Sequence, residues 1–329
     1  MKHDGFLADV LRAPAALAAL LDAYDGAESP LASLPLPEAP SRVVLIGMGS
    51  SCFAAVTVAA RLRAAGVDAV AELASTGSPT PPRPGTLAVG VSASGSTSET
   101  VEALARHRGR STTVAVTNDP SSPLAAAADK VLPLLAGVEE GGVACLTFQA
   151  TLAVLHLLAG RLLGGRPSVA DLRPAVDAVG ALRDGRQSWL PELCALLEAA
   201  ASIHAIAPAE RLSTALQSAL MLREGPRLQA HGHETGDWLH VDVYLTKRPG
   251  YAALLFPGSR FDGKVMRWLT DRGSTAIAVG SPLEGTALTI PFPSAEDPLV
   301  QALVETGVAE LAAAELWRRG VAAADPALV

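Results

Sequence analysis

The chain has 329 residues, of which 49% are hydrophobic and only 4% aromatic, and a formal net charge of −7. That is enough material for two domains cored by Ala, Val and Leu, and no Lys/Arg cluster offers a nucleic-acid groove or a basic membrane-surface helix. Three widely spaced cysteines, Cys52, Cys145 and Cys194, give neither a disulfide framework nor a metal-ligand spacing and fit a reducing cytoplasm.

In chain order, the opening MKHDGFLADVLRAP carries acids early and lacks a signal peptide's apolar core and cleavage site. Helical spacing over Phe6–Tyr24, interrupted by Pro14, predicts one or two short helices on a domain surface, followed by a Pro-rich linker over Pro30–Pro40. A strand–helix alternation then begins. Strands are expected at Arg42–Ile46, Ala69–Leu73, Thr86–Val91, Thr112–Val116 and Lys130–Leu134. Helices follow the first and third, and a long helix over Ala144–Leu163 closes the unit. Its apolar run, Leu152–Leu158, is interrupted by His156 and too short to span a bilayer. Short, wholly apolar strands separated by helices predict a parallel sheet covered on both faces, an α/β fold.

The second half repeats this order. Strands are expected at Ser202–Ile206, Ala252–Phe256, Thr275–Val279 and Ala287–Ile290, with helices at Ala209–Glu224, Phe261–Arg272 and Leu299–Arg318. Corresponding starts recur about 155–165 residues apart, which suggests two copies of one architecture. The expected organisation is an N-terminal helical segment and linker (1–40), a first domain (41–165) and a second domain (166–329).

Two turns of the first half are chemically loaded. Gly47-Met48-Gly49-Ser50-Ser51 and Ser92-Ala93-Ser94-Gly95-Ser96-Thr97 each stand between a strand and a helix. Ligands of open α/β sheets bind at the carboxyl ends of strands. A helix start there offers free N–H groups and a partial positive charge, both favouring a phosphate. Hydroxyls add donors without bulk, and Gly95 allows close backbone approach. Plain helix capping explains one hydroxyl per turn, against six Ser or Thr here. A dinucleotide fold fits Gly47-x-Gly49, but Cys52 stands where its third glycine belongs.

At these residues the sequence resembles the sugar isomerase (SIS) family, in particular the double-SIS isomerase domain of glucosamine-6-phosphate synthase and stand-alone phosphosugar isomerases and deaminases. The resemblance runs from GFLADVLRAPAAL through GMGSS, the Ser-x-Ser-Gly-x-Thr loop within SASGSTSET, and Gly142-Val143-Ala144. It continues in ALQSALMLREGPRLQAHGHETGDWLH. It implies two tandem SIS domains, each a flavodoxin-like three-layer α/β/α unit. It implies a phosphate held by Ser50, Ser51, Ser92, Ser94, Gly95 and Thr97, and a sugar lined by Gly49, Ala93, Val143 and Ala144. By the same resemblance, Glu224 is the carboxylate that moves a proton between C1 and C2. His240, sixteen residues on, is the ring-opening histidine. The chemistry is coherent: one raised-pKa carboxylate serves both carbons, and a histidine titrates in the right range to open the ring. The resemblance implies a cytoplasmic homodimer without metal or cofactor, in which His240 serves its own or a partner chain's site.

The departures are specific. Ala93 replaces the family's Gln, His240-Val241-Asp242 its His-Gly-Pro, Met221 a lysine, and Cys145-Leu146-Thr147 its Ser-Thr-Lys. The last lysine is Lys264, whereas the synthase carries one in its tail. No glutaminase segment precedes the first half, so glutamine-dependent synthesis is not expected. His231, His233 and Glu234 on an extended segment bring two metal-type ligands to one side without a third; with Asp237, Asp242 and Lys247 they are polar candidates for a sugar pocket. The second half's equivalent turn, Pro257-Gly258-Ser259-Arg260, has one hydroxyl, so one phosphosugar site per chain is expected. The leading reading is an aldose–ketose isomerase or aminosugar-phosphate isomerase/deaminase acting on a hexose or hexosamine 6-phosphate. A non-catalytic sugar-phosphate sensor and a lyase or deglycase are the alternatives.

Overall fold

The structure, a computed structural model, describes residues 2–32, 34 and 40–320. Part of the expected Pro30–Pro40 linker and all of the closing ADPALV stretch lie outside the described residues. The chain divides into two compact units, one built from Ala15–Val138 and Leu146–Arg173, the other from the described parts of Met1–Pro14, Glu139–Cys145 and Pro174–Val329.

The first unit holds β1 (Arg42–Gly47), β2 (Ala69–Leu73), β3 (Thr86–Val91), β4 (Thr112–Thr117) and β5 (Lys130–Pro133), all parallel, in the order β2-β1-β3-β4-β5. Helices α2 (Gly49–Ala64), α3 (Ser98–Ala105), α4 (Pro123–Ala126), α5 (Leu146–Leu162) and α6 (Val169–Leu172) flank it. Val43, Val44, Leu45 and Ile46 of β1 are all buried, as the unbroken apolar run requires of a central strand covered on both faces.

The second unit repeats the plan. β6 (Ser202–Ala207), β7 (Ala230–Glu234), β8 (Tyr251–Leu255), β9 (Thr275–Val279) and β10 (Leu288–Ile290) form a parallel sheet in the order β7-β6-β8-β9-β10. Numbered within each sheet, both run 2-1-3-4-5, the flavodoxin-like order expected from the sequence. Its helices are α7 (Pro174–Asp184), α8 (Leu190–Glu198), α9 (Leu212–Glu224), α10 (Thr235–Trp238), α11 (Asp262–Asp271), α12 (Pro298–Val304) and α13 (Thr306–Arg319). Ala-rich α13 is buried almost all round, from Thr306 to Ala314 and again at Leu316.

Three expectations need correction. The opening segment is one long helix, α1 (Lys2–Ala23), uninterrupted by Pro14; it buries one face through Phe6, Val10, Leu20 and Leu21 and exposes the other at Ala8, Leu11, Arg12 and Ala19. Proline leaves the carbonyl four residues back without its N–H donor, and here the Arg183 guanidinium donates to that carbonyl, Val10 O. The closing helix is two, because the ladder tightens at Glu305, whose carbonyl accepts Val308 N–H three residues on. Helices α6–α8 occupy stretches for which no element was expected, and the extended segment at His231–Glu234 is paired into the sheet as β7. Among the described residues no helix is long and apolar enough to cross a membrane.

Candidate functional site

In the first unit β1 and β3 are parallel neighbours, and Gly47 pairs in register with Val91. The two loaded turns therefore leave the sheet side by side at adjacent carboxyl ends, where the strand order reverses and such sheets bind ligands. Neither N-cap residue caps its helix: Met48 precedes α2 and Thr97 precedes α3 without a capping side-chain hydrogen bond. The hydroxyls are thus not consumed in the role that plain capping assigns them.

The second turn is braced from below. Ser92 N–H donates to Val116 O, Asn118 N–H to Ala93 O and Leu124 N–H to Gly95 O. Gly95 N–H donates to Ser92 Oγ at 3.1 Å, and Ser92 Oγ meets Thr97 Oγ1 at 3.1 Å. Gly95 has a φ of +62°, and a Cβ there would stand 2.0 Å from Ser122 Oγ, so only glycine fits. Ser94 is exposed, while Ser50, Ser51 and Thr97 are half-buried; Gly49 adopts φ +51° at the start of α2. One resident anion borders this place. The Glu99 carboxylate accepts from its own backbone N–H and from Ser98 Oγ at 3.0 Å, and these two bonds hold its pKa below the usual value.

The corresponding turn of the second unit is already occupied by its own side chains. After β8, Gly258 N–H and Ser259 N–H donate to Asp262 Oδ2 at 2.7 and 3.0 Å. Buried Arg211, just after β6, donates to Pro257 O and to Glu305 Oε1. A carboxylate and a guanidinium thus take the places that an incoming anion and its amides would need.

The second unit also holds the remaining sequence candidates. Segment 139–145 is fixed by Asp9 Oδ2, which accepts Gly141 N–H at 2.9 Å, and by Glu139 Oε1, which accepts Cys145 N–H at 2.7 Å. Val143 is buried, and Ala144 O accepts from Gln217 Nε2 at 2.8 Å. Gln217 lies two turns before Glu224 on one face of α9, so the expected sugar-lining segment and the expected carboxylate share that face. Glu224 ends α9 exposed by area, but desolvation around its carboxyl raises its pKa; Arg223 opposes the shift and Glu139 adds to it.

Residues 37–161 match the SIS domain family. That segment is a SIS domain. Over 226 residues the chain is 27% identical to a glutamine–fructose-6-phosphate aminotransferase (isomerizing) of Gloeobacter violaceus, a match covering 65% of this chain and 37% of that relative. The chain thus spans well under half the length of that relative. Among solved structures, tagatose-6-phosphate ketose/aldose isomerase from Escherichia coli superposes with a TM-score of 0.79 at 16% identity, covering 96% of this chain and 93% of that one. Glucosamine-6-phosphate deaminase from Thermotoga maritima gives 0.76 at 19% identity, covering 96% and 94%. With two sheets of identical strand order, the fold is two tandem SIS domains.

In this SIS protein His240 is exposed just after α10, its N–H donating to Asp237 O, and no hydrogen bond or ion pair joins it to Glu224 among the described residues. His231 and His233 do lie together on β7, but with a third histidine that sequence reasoning missed. His204 on β6 approaches His233 Nε2 through Nδ1 at 2.9 Å and stacks on Tyr251, ring centroids 4.2 Å apart. His233 Nδ1 meets Asp242 Oδ2 at 3.0 Å. Among the described residues no group of three or more His, Cys, Asp or Glu is arranged to hold a metal ion. The available signal was a lone histidine in the apolar strand SIHAIA, which faces HGH only once β6 and β7 are paired.

Proposed function

We propose that this SIS protein is an enzyme acting on a hexose or hexosamine 6-phosphate, an aldose–ketose isomerase or an aminosugar-phosphate isomerase/deaminase. The observation that carries the reading is the register pairing of Gly47 with Val91, which sets two hydroxyl-rich helix starts, neither capped by its N-cap residue, beside each other. Ser50, Ser51, Ser92, Ser94, Gly95 and Thr97 are the proposed phosphate ligands, with Gly49, Ala93, Val143 and Ala144 lining the sugar. Backbone N–H groups and the helix dipoles supply the attraction for the dianion.

Glu224 is the proposed base. Its raised pKa makes it a better proton carrier near neutrality than an ordinary carboxylate, and one carboxylate suffices to take a proton from one carbon and return it to the next. His240 is the proposed ring-opening group; its exposure leaves the imidazole accessible for that role. The likeness to a ketose/aldose isomerase and to a deaminase supports the reaction class, and the filled turn after β8 supports a single phosphosugar per chain.

The test is turnover of glucosamine 6-phosphate and fructose 6-phosphate, following sugar product and ammonia. Turnover abolished in Glu224→Gln with binding retained supports the reading. A phosphosugar that binds and is recovered unchanged would instead favour the sensor reading.

A further inference from the structure

The segment that carries His240 is tied to the second sheet on both sides of that residue. Upstream, Trp238 Nε1 donates to Tyr251 Oη at 2.8 Å, and Glu234 caps α10 by accepting Asp237 N–H at 2.7 Å. Trp238, Leu239 and Val243 are buried with Ile206, Tyr251 and Leu255. Downstream, the tie is Asp242 to His233, two residues after His240. Exposed Val241 and His240 lie between these anchors.

The hydrogen-bond directions follow from one end. An ionised Asp242 carboxylate only accepts, so His233 Nδ1 carries the proton. A neutral His233 then accepts at Nε2, which makes His204 Nδ1 the donor at 2.9 Å. His204 Nε2 in turn accepts from Ser202 Oγ at 3.3 Å. The chain Ser202–His204–His233–Asp242 is therefore satisfied with both imidazoles neutral and one tautomer each. A second proton on His233 Nε2 would require His204 to move its own proton from Nδ1 to Nε2, reversing both bonds of that ring. The other titratable groups facing His233 are His231 on its own strand, Asp237 on α10 and Tyr251 on β8, beside His204.

We propose that His233 is a positioning residue for His240: backed by His204, it holds Asp242 and so fixes the segment 238–243. The inference rests on the reading of His240 as a ring-opening group.

The experiment uses the full chain. Histidine ¹⁵N resonances should report the Nδ1–H tautomer for His233. Amide exchange over 238–243, corrected for intrinsic rates, should rise about tenfold in His233→Ala and Asp242→Ala. Asp242→Asn, which still accepts from Nδ1–H, should stay near wild type. With a turned-over phosphosugar, His233→Ala should lose about 10–100-fold in kcat with little change in KM, as expected of a misplaced catalytic group. Unchanged exchange in His233→Ala, or an Nε2–H tautomer at His233, would overturn the proposal. Loosened exchange in a protein that turns over no phosphosugar would uphold the tie while removing the enzymatic reading.

Discussion

Gly47 and Val91 are register partners at the ends of two parallel strands of the first SIS domain. Their pairing sets the β1–α2 and β3–α3 turns beside each other where the sheet reverses its strand order, and neither N-cap residue there caps its helix.

Thr97 and Ser92 are the most direct probes of the cradle, since their hydroxyls meet at 3.1 Å within the second turn. Thr97→Val should weaken binding of a phosphosugar about tenfold, the loss of one hydrogen bond to a charged group, while leaving the melting temperature nearly unchanged. Gly95→Ala should unfold the turn instead, because both its φ and the Ser122 contact exclude a Cβ. Isothermal titration beside thermal melts separates the two effects.

Glu99 places a negative charge in the first turn of α3. Glu99→Gln should tighten phosphosugar binding a few-fold at low salt, with the gain shrinking as salt screens the exposed charge. Titrations at two ionic strengths check this.

In the second domain, buried Arg211 pairs with buried Glu305, whose carboxyl burial pushes up to about 7 against the pull of the guanidinium. Arg211→Met should cost about 3 kcal/mol at neutral pH, because a buried carboxylate loses its partner. The cost should be larger at pH 8 and smaller at pH 6, on either side of the Glu305 value, and Glu305→Gln should partly rescue the variant. Chemical denaturation at both pH values measures it.

Burial holds His156 in the first domain and His204 in the second neutral, each with a pKa of about 3. An unfolded histidine binds a proton near pH 6.5, so the unfolded state holds more protons between about 6.5 and 3. Stability from each is fully present above pH 6.5 and falls with acid, by up to about 1.4 kcal/mol per pH unit per residue. His204→Phe should flatten the acid side of the second domain's stability profile.

Most of the fold was legible because buried parallel strands are unbroken apolar runs. RVVLIG and TLAVGV announce themselves, and their turns carry the hydroxyls and glycines of a ligand-binding end. What was not legible depends on pairing. Strand β7, AHGHE, has the composition of a loop and becomes a strand only through β6. The single helix through Pro14 needs Arg183 from far along the chain. Pro257–Arg260 already read as a poor phosphate turn, but that Asp262 and Arg211 fill it follows only from the fold.

The most direct test of the account is a calorimetric titration of the chain with glucosamine 6-phosphate and with unphosphorylated glucosamine. The account predicts one site per chain for the phosphate ester, lost in a Ser92→Ala, Thr97→Val double variant, and no measurable binding of the free sugar. Equal binding of both sugars, or phosphosugar binding untouched by the double variant, would contradict it.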